Sequence, residues 1–134
     1  MTDKELLQMA IAARENSYAP YSRFKVGAAL LCENGKVYTG ANIENAGYTP
    51  TVCAERVAFF TAVHQGEKEF SKIAIVGAKD GEPVGFCAPC GVCRQVMAEF
   101  CNDDFQIILG TADKTTVYTL NEILPERFGP NNLA

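Results

Sequence analysis

The sequence predicts an α/β layered fold, a five-stranded mixed sheet covered by helices. Three observations predict it. Short apolar runs of strand character alternate with longer segments of helical period. An Asn34-Gly35 pair sits between two such runs, and the last two runs are joined too tightly for a crossover helix. In order, Thr2-x-x-Glu5 reads as a capping box, and Leu6, Leu7, Ala10 and Ile11 recur at helical spacing to about Asn16. Pro20 breaks that helix. Phe24 to Cys32 is apolar and reads as a central strand, Glu33-Asn34-Gly35 as a hairpin turn, and Lys36 to Gly40 as the return strand. Gly40 to Pro50 lacks apolar periodicity and is expected to be a binding loop. Thr51 is placed to cap a helix from about Val52 to His64, stopped by Gly66. Lys72 to Gly77 is a short buried strand, and Pro89 opens a helix from about Cys90 to Cys101. Phe105 to Gly110 and Thr116 to Leu120 form two more strands. Their connection, Thr111 to Thr115, forces an antiparallel C-terminal pair. The tail from Leu124 to Pro130 is turn-rich.

The 134 residues are expected to form one domain, 1–134, and a 48% apolar fraction suffices for a core. A net charge of −4 without a Lys/Arg cluster argues against nucleic acid as a partner. No apolar run is long enough to span a bilayer, and Met1-Thr2-Asp3-Lys4-Glu5 does not read as a signal peptide. The expected location is therefore the cytoplasm, where thiols stay reduced. There, six cysteines speak for metal ligation rather than a disulfide framework.

Cys90 and Cys93 are spaced to put both sulfurs on one side of a helical turn, and Cys53 lies upstream beside Glu55. Three thiolates with a carboxylate nearby describe one Zn²⁺ whose fourth position stays open for water. Both cysteine motifs fall at expected helix N-termini, where the helix dipole and free N–H groups favour thiolates. Glu55, two residues after Cys53, would point away by about 200 degrees on a helix. That suits a proton carrier better than a fourth ligand. Cys87 precedes the helix start and is read as a non-ligand. Cys32 and Cys101 read as small buried hydrophobes, and His64, the only histidine, as a helix-end residue.

Cys53-Ala54-Glu55 followed by Pro89-Cys90-x-x-Cys93 resembles the zinc-dependent nucleoside and nucleotide deaminases. Cysteine at the first ligand position resembles the small homotetrameric cytidine deaminases. Three more segments match in the same order: Tyr21-Ser22-x-Phe24-x-Val26-Gly27-Ala28-Ala29, Gly40-Ala41-Asn42-Ile43-Glu44-Asn45 and Phe128-Gly129-Pro130. The resemblance implies a three-layer α/β/α cytidine-deaminase-like fold and hydrolytic deamination of cytidine and deoxycytidine in pyrimidine salvage. It implies zinc on Cys53, Cys90 and Cys93, with Glu55 shuttling protons. Asn42 and Glu44 would bind the ribose hydroxyls, Phe24 would line the base pocket, and the Ala54 N–H would meet the pyrimidine carbonyl. Neighbouring subunits of a homotetramer would complete each pocket, with Phe128 and Tyr48 acting across the interface. Cys87 departs from the serine usual in the family.

Two of these roles have ordinary alternatives. Asn42 and Glu44 would equally suit turn stabilisation, and Arg56 a surface salt bridge. With three thiolates on Zn²⁺ the site carries a formal charge of −1, so Arg56 is expected to offset it by hydrogen bonding to sulfur. A deaminase of another aminopyrimidine nucleoside, of the blasticidin type, shares the zinc motifs. A non-enzymatic zinc-stabilised interaction module shares the cysteines but has no use for Glu55.

Overall fold

The structure is a computed structural model and describes residues 1–111 and 113–134. Ala112, inside the expected Thr111–Thr115 connection, lies outside the described residues. The sheet has the order β2-β1-β3-β4-β5, built from β1 (Phe24–Cys32), β2 (Val37–Ala41), β3 (Phe70–Lys79), β4 (Gln106–Gly110) and β5 (Thr115–Thr119). It is mixed: β3 and β4 pair in parallel, and every other neighbouring pair is antiparallel, including the C-terminal β4–β5 pair. The parallel step needs a crossover, which α3 (Gly91–Phe100) supplies.

Side-chain alternation along the central strands sorts the core into two layers. Ala29, Ala74, Val76 and Ile108 face α1 (Asp3–Arg14), where they bury Leu6, Leu7 and Ala10. Their alternates Ala28, Leu30, Ile73, Ile75, Ile107 and Leu109 face Ala58, Phe59 and Ala62 of α2 (Ala54–His64) and Met97 of α3. Helices thus cover both faces, and the architecture is α/β/α. α1 opens as expected, with the Thr2 side chain accepting the Glu5 N–H.

Two helix starts differ from expectation, and both differences move a cysteine. Val52 is not helical, because its N–H and C=O both pair with Ile43 at 2.9 and 3.0 Å. The Thr51 hydroxyl accepts from Asn45 N–H instead of capping. Cys53 therefore becomes the residue before α2, extended, with its carbonyl accepting from the Arg56 and Val57 N–H groups. Pro89 likewise stands one residue too early, so Cys90 is the N-cap of α3 and its sulfur faces the Cys93 N–H at 3.5 Å. At the C-terminus, Leu120 leaves β5 and opens a one-turn helix, α4 (Leu120–Ile123), under a Thr119/Glu122 capping box.

The close seat of α2 on the sheet requires glycine at position 40. A Cβ there would lie 2.4 Å from the Ala54 carbonyl oxygen and 2.7 Å from the Ala58 nitrogen, both backbone atoms of α2. Gly40→Ala is expected to cost about 3 kcal/mol of stability by overpacking, measured by urea denaturation. A variant as stable as the parent would show that α2 can back away from β2.

Candidate active site

The N-termini of α2 and α3 converge so that Cys53, Cys90 and Cys93 offer three sulfurs within 4.8 Å of one another. Cys53 and Cys90 Sγ are 3.7 Å apart. Cys93 is buried, Cys53 half-buried and Cys90 exposed, so the cluster opens to the surface on one side. The Arg56 Nη2 donates to Cys53 Sγ at 3.5 Å. Its Nε is buried with no hydrogen-bond partner among the described residues. The hydrogen bond from the Cys93 thiol, followed by those from Arg56 and Cys90, holds the Cys53 thiol down to about 5. Sharing that proton with Cys53, together with burial, pushes Cys93 up.

Glu55 is only 4% exposed. Burial, with the Cys53 charge adding to it, raises its carboxyl to about 7, against the pull of its own backbone N–H. The expected 200-degree separation from Cys53 does not apply, since Cys53 precedes the helix and Glu55 lies in its first turn. The two groups are close enough to feel each other's charge. The Ala54 N–H also belongs to that first turn, where backbone donors have no intrahelical acceptor.

Asn42 and Glu44 reach this end of the sheet through the Ile43–Val52 bridge, whose antiparallel sense lays Asn42 alongside Cys53 and Glu44 alongside Thr51. Both side chains are already engaged. Asn42 Oδ1 accepts from the Val26 N–H at 2.9 Å and from the Ser17 hydroxyl, and Nδ2 donates to the Phe24 carbonyl at 2.8 Å. Only one amide hydrogen is left for a ligand. Glu44 accepts from the N–H groups of Tyr21 and Ser22 and from the Ser22 hydroxyl. Tyr21, Ser22, Glu44, Tyr48 and Thr51 line a cavity of about 380 Å³. Ser17, Tyr21 and Ser22 have no assigned part in the sequence reading; a short hydroxyl beside the Phe24 motif was the available signal.

The remaining candidates lie at the surface. Phe24 is partly exposed at the head of β1, and Tyr48 is 74% exposed, edge-on to Tyr21, with a left-handed φ of 61°. Phe128 is exposed on the tail, held by its carbonyl accepting from Gln95 Nε2 at 2.8 Å. Cys87 is outside the three-sulfur cluster. It packs on β3 at Gly77, where an added Cβ would meet its sulfur at 2.8 Å. Burial, then the Glu55 charge, pushes its thiol up to about 11. His64 closes α2 and is exposed. A wider cleft of about 710 Å³ runs between the C-terminal end of α3 and the tail, at the opposite end of that helix from Cys90.

Residues 1–109 match the family described as the cytidine and deoxycytidylate deaminase zinc-binding region. The chain belongs to this family. It is 46% identical over its whole length to a cytidine deaminase of Sporosarcina psychrophila, covering 96% of that protein. It is 49% identical over 96% of its length to one from Halalkalibacterium halodurans, covering 95% of that protein. Among solved structures, the cytidine deaminase from Burkholderia pseudomallei superposes with a TM-score of 0.87 at 45% identity, covering 96% of this chain and all of that one. The cytidine deaminase from Mycobacterium tuberculosis superposes at 0.81 with 33% identity, covering 96% and 98%.

The residues present fit the ion that this family's zinc-binding region implies. A tetrahedron with metal–sulfur distances of about 2.3 Å sets its sulfurs about 3.8 Å apart, and Cys53 and Cys90 already stand at 3.7 Å. The cluster fits one zinc per chain, with three sulfur donors and no fourth metal-ligating side chain in the group among the described residues.

Because the folded state raises the Glu55 pKa from 4.5 to about 7, it favours the protonated carboxyl relative to the unfolded chain. Its contribution is intact below the unfolded value and is lost as pH rises through the folded one. In chelator-stripped protein, Glu55→Gln is therefore expected to be more stable than the parent by roughly 2–4 kcal/mol at pH 8. The gap should close towards pH 4.5. Urea denaturation at both pH values checks this, and a pH-independent gap would contradict it.

Proposed function

We propose that the protein catalyses the zinc-dependent hydrolytic deamination of cytidine and deoxycytidine to uridine and deoxyuridine, with release of ammonia, for pyrimidine salvage. The observation that carries this is a buried carboxyl, that of Glu55, beside three sulfurs spaced for zinc. A bound Zn²⁺ supplies a Lewis acid that can bring the pKa of water from about 15.7 to roughly 7.

The chain's own groups supply the rest. The Glu55 carboxylate takes a proton from the attacking water and places it on ring N3. It then passes the second proton to the departing amine, so that C4 gains the water oxygen and the C4–N bond breaks to ammonia. A carboxyl near 7 is suited to both directions of transfer at neutral pH. The first-turn N–H of Ala54 meets the pyrimidine carbonyl, and burial of Glu55 keeps bulk water from competing for its proton. Asn42, with one amide hydrogen left, donates to the sugar, while Glu44 accepts from it. A single hydroxyl can satisfy both, as an acceptor for the amide and a donor to the carboxylate.

Phe24 lines the base pocket in this reading. Tyr48 and Phe128 serve neighbouring subunits of a homotetramer, and their exposure on the isolated chain supports that assignment. The six unpaired thiols suit a reducing compartment such as the cytoplasm.

Glu55→Gln is expected to lower kcat by about 10³-fold, since general acid–base transfer contributes on that order. Zinc content should stay at one per chain and melting should be no lower. Ammonia release together with the ultraviolet change from cytidine to uridine reads the activity; a variant that deaminates at the parent rate would remove Glu55 from the mechanism. Arg56→Ala is expected to lose zinc to a chelator about 10- to 100-fold more readily, as removal of a group supporting a metal ligand does. Unchanged zinc retention would return Arg56 to an ordinary surface role.

A further inference from the structure

Ser22 stands between the two parts of the pocket that this reading assigns to different halves of the substrate. Its hydroxyl donates to Glu44 Oε2 and accepts the Phe24 N–H at 2.9 Å. Its own N–H donates to Glu44 Oε1 at 3.1 Å, beside the Tyr21 N–H at 3.0 Å. A carboxylate offers about four lone-pair positions. Two backbone donors occupy those of Oε1 and the Ser22 hydroxyl takes one on Oε2, which leaves a single acceptor position for a ligand.

The hydroxyl is itself oriented. Because the Phe24 N–H feeds its oxygen, its hydrogen points at Glu44, and the two bonds reinforce one another. The backbone between is anchored as well. Arg23 holds a left-handed φ of 59°, a costly conformation for a side-chain-bearing residue. Its N–H donates to the Ala19 carbonyl at 3.0 Å, and its carbonyl accepts from the Asp80 N–H at 2.7 Å. In keeping with this, the Ser22 hydroxyl bond is the largest of the influences that hold Glu44 below the usual carboxylate range.

We propose that Ser22 is a positioning residue: its hydroxyl fixes which Glu44 oxygen faces the sugar and ties that oxygen to the Phe24 backbone, so sugar and base contacts are held in register. The proposal rests on Glu44 as the sugar ligand, and the following experiment tells a failure of Ser22's role from a failure of that assignment.

Holoenzymes carrying Ser22→Ala, Ser22→Thr and Glu44→Gln are compared with the parent on cytidine and on 2′,3′-dideoxycytidine, whose sugar lacks the hydroxyls that Glu44 would accept from. Ser22→Ala is expected to raise KM for cytidine about tenfold, the scale of one hydrogen bond to a charged group. Its kcat should change little, its effect on dideoxycytidine should be about twofold or less, and Ser22→Thr should recover most of the cytidine KM. Equal losses on both nucleosides would mark Ser22 as merely structural and overturn the proposal. A sugar-dependent loss in Glu44→Gln without one in Ser22→Ala would overturn it while leaving the sugar clamp intact. If Glu44→Gln itself treats both nucleosides alike, the clamp fails and the proposal fails with it.

Discussion

The constraint on which the rest of the structure depends is the meeting of two helix N-termini at a point where three sulfurs crowd within 4.8 Å. Three thiolates at such a point repel one another. Two unit charges about 4 Å apart cost about 4 kcal/mol at an effective dielectric of 20. Hydrogen bonding within the cluster eases this by favouring the anion at Cys53 and disfavouring it at Cys93. The partial positive charge at both helix ends and the Arg56 guanidinium support the anion that remains. A divalent cation removes the repulsion by displacing the thiol protons. Placing the carboxyl of Glu55 against the same charge, inside the protein, raises it towards neutrality. In the proposed mechanism, metal affinity and proton transfer would therefore draw on one electrostatic arrangement.

The layers of the fold bring the helix ends to that point. Alternation along β1, β3 and β4 sends one set of apolar residues to α1 and the other to α2 and α3. Both helices whose N-termini meet at the cluster thus lie on the same face of the sheet. Gly40 allows α2 to approach β2 closely. The Ile43–Val52 bridge then fixes where α2 can start, and it carries Asn42 and Glu44 to the same edge. The helix seat and the placement of Asn42 and Glu44 are consequences of one short backbone pairing.

Much of this was legible in the sequence because it is local or periodic. The Asn34-Gly35 turn, the alternation of the strands and the short β4–β5 connection required no long-range knowledge. The Cys90/Cys93 spacing and the Cys53-Ala54-Glu55 run identified the metal cluster before any geometry was known. What local reading missed depended on distant partners. Thr51 is an acceptable cap by type, but Ile43 claims the Val52 backbone and the helix begins later. Helical spacing points Glu55 away from Cys53 only if both share a helix, and Cys53 stands outside α2. The prior engagement of Asn42 by Ser17, Val26 and Phe24 has no sequence signature, because Val26 and Phe24 meet it only once β1 is in place.

The most direct test of the central claim is the coordination of the bound ion. Zinc K-edge X-ray absorption of the purified protein, with metal content measured on the same sample, counts the scatterers around it. One zinc per chain is expected, with three sulfurs at about 2.3 Å and a single lighter neighbour from solvent. A fourth protein ligand closing the tetrahedron, or protein that carries no tightly held metal, would contradict it.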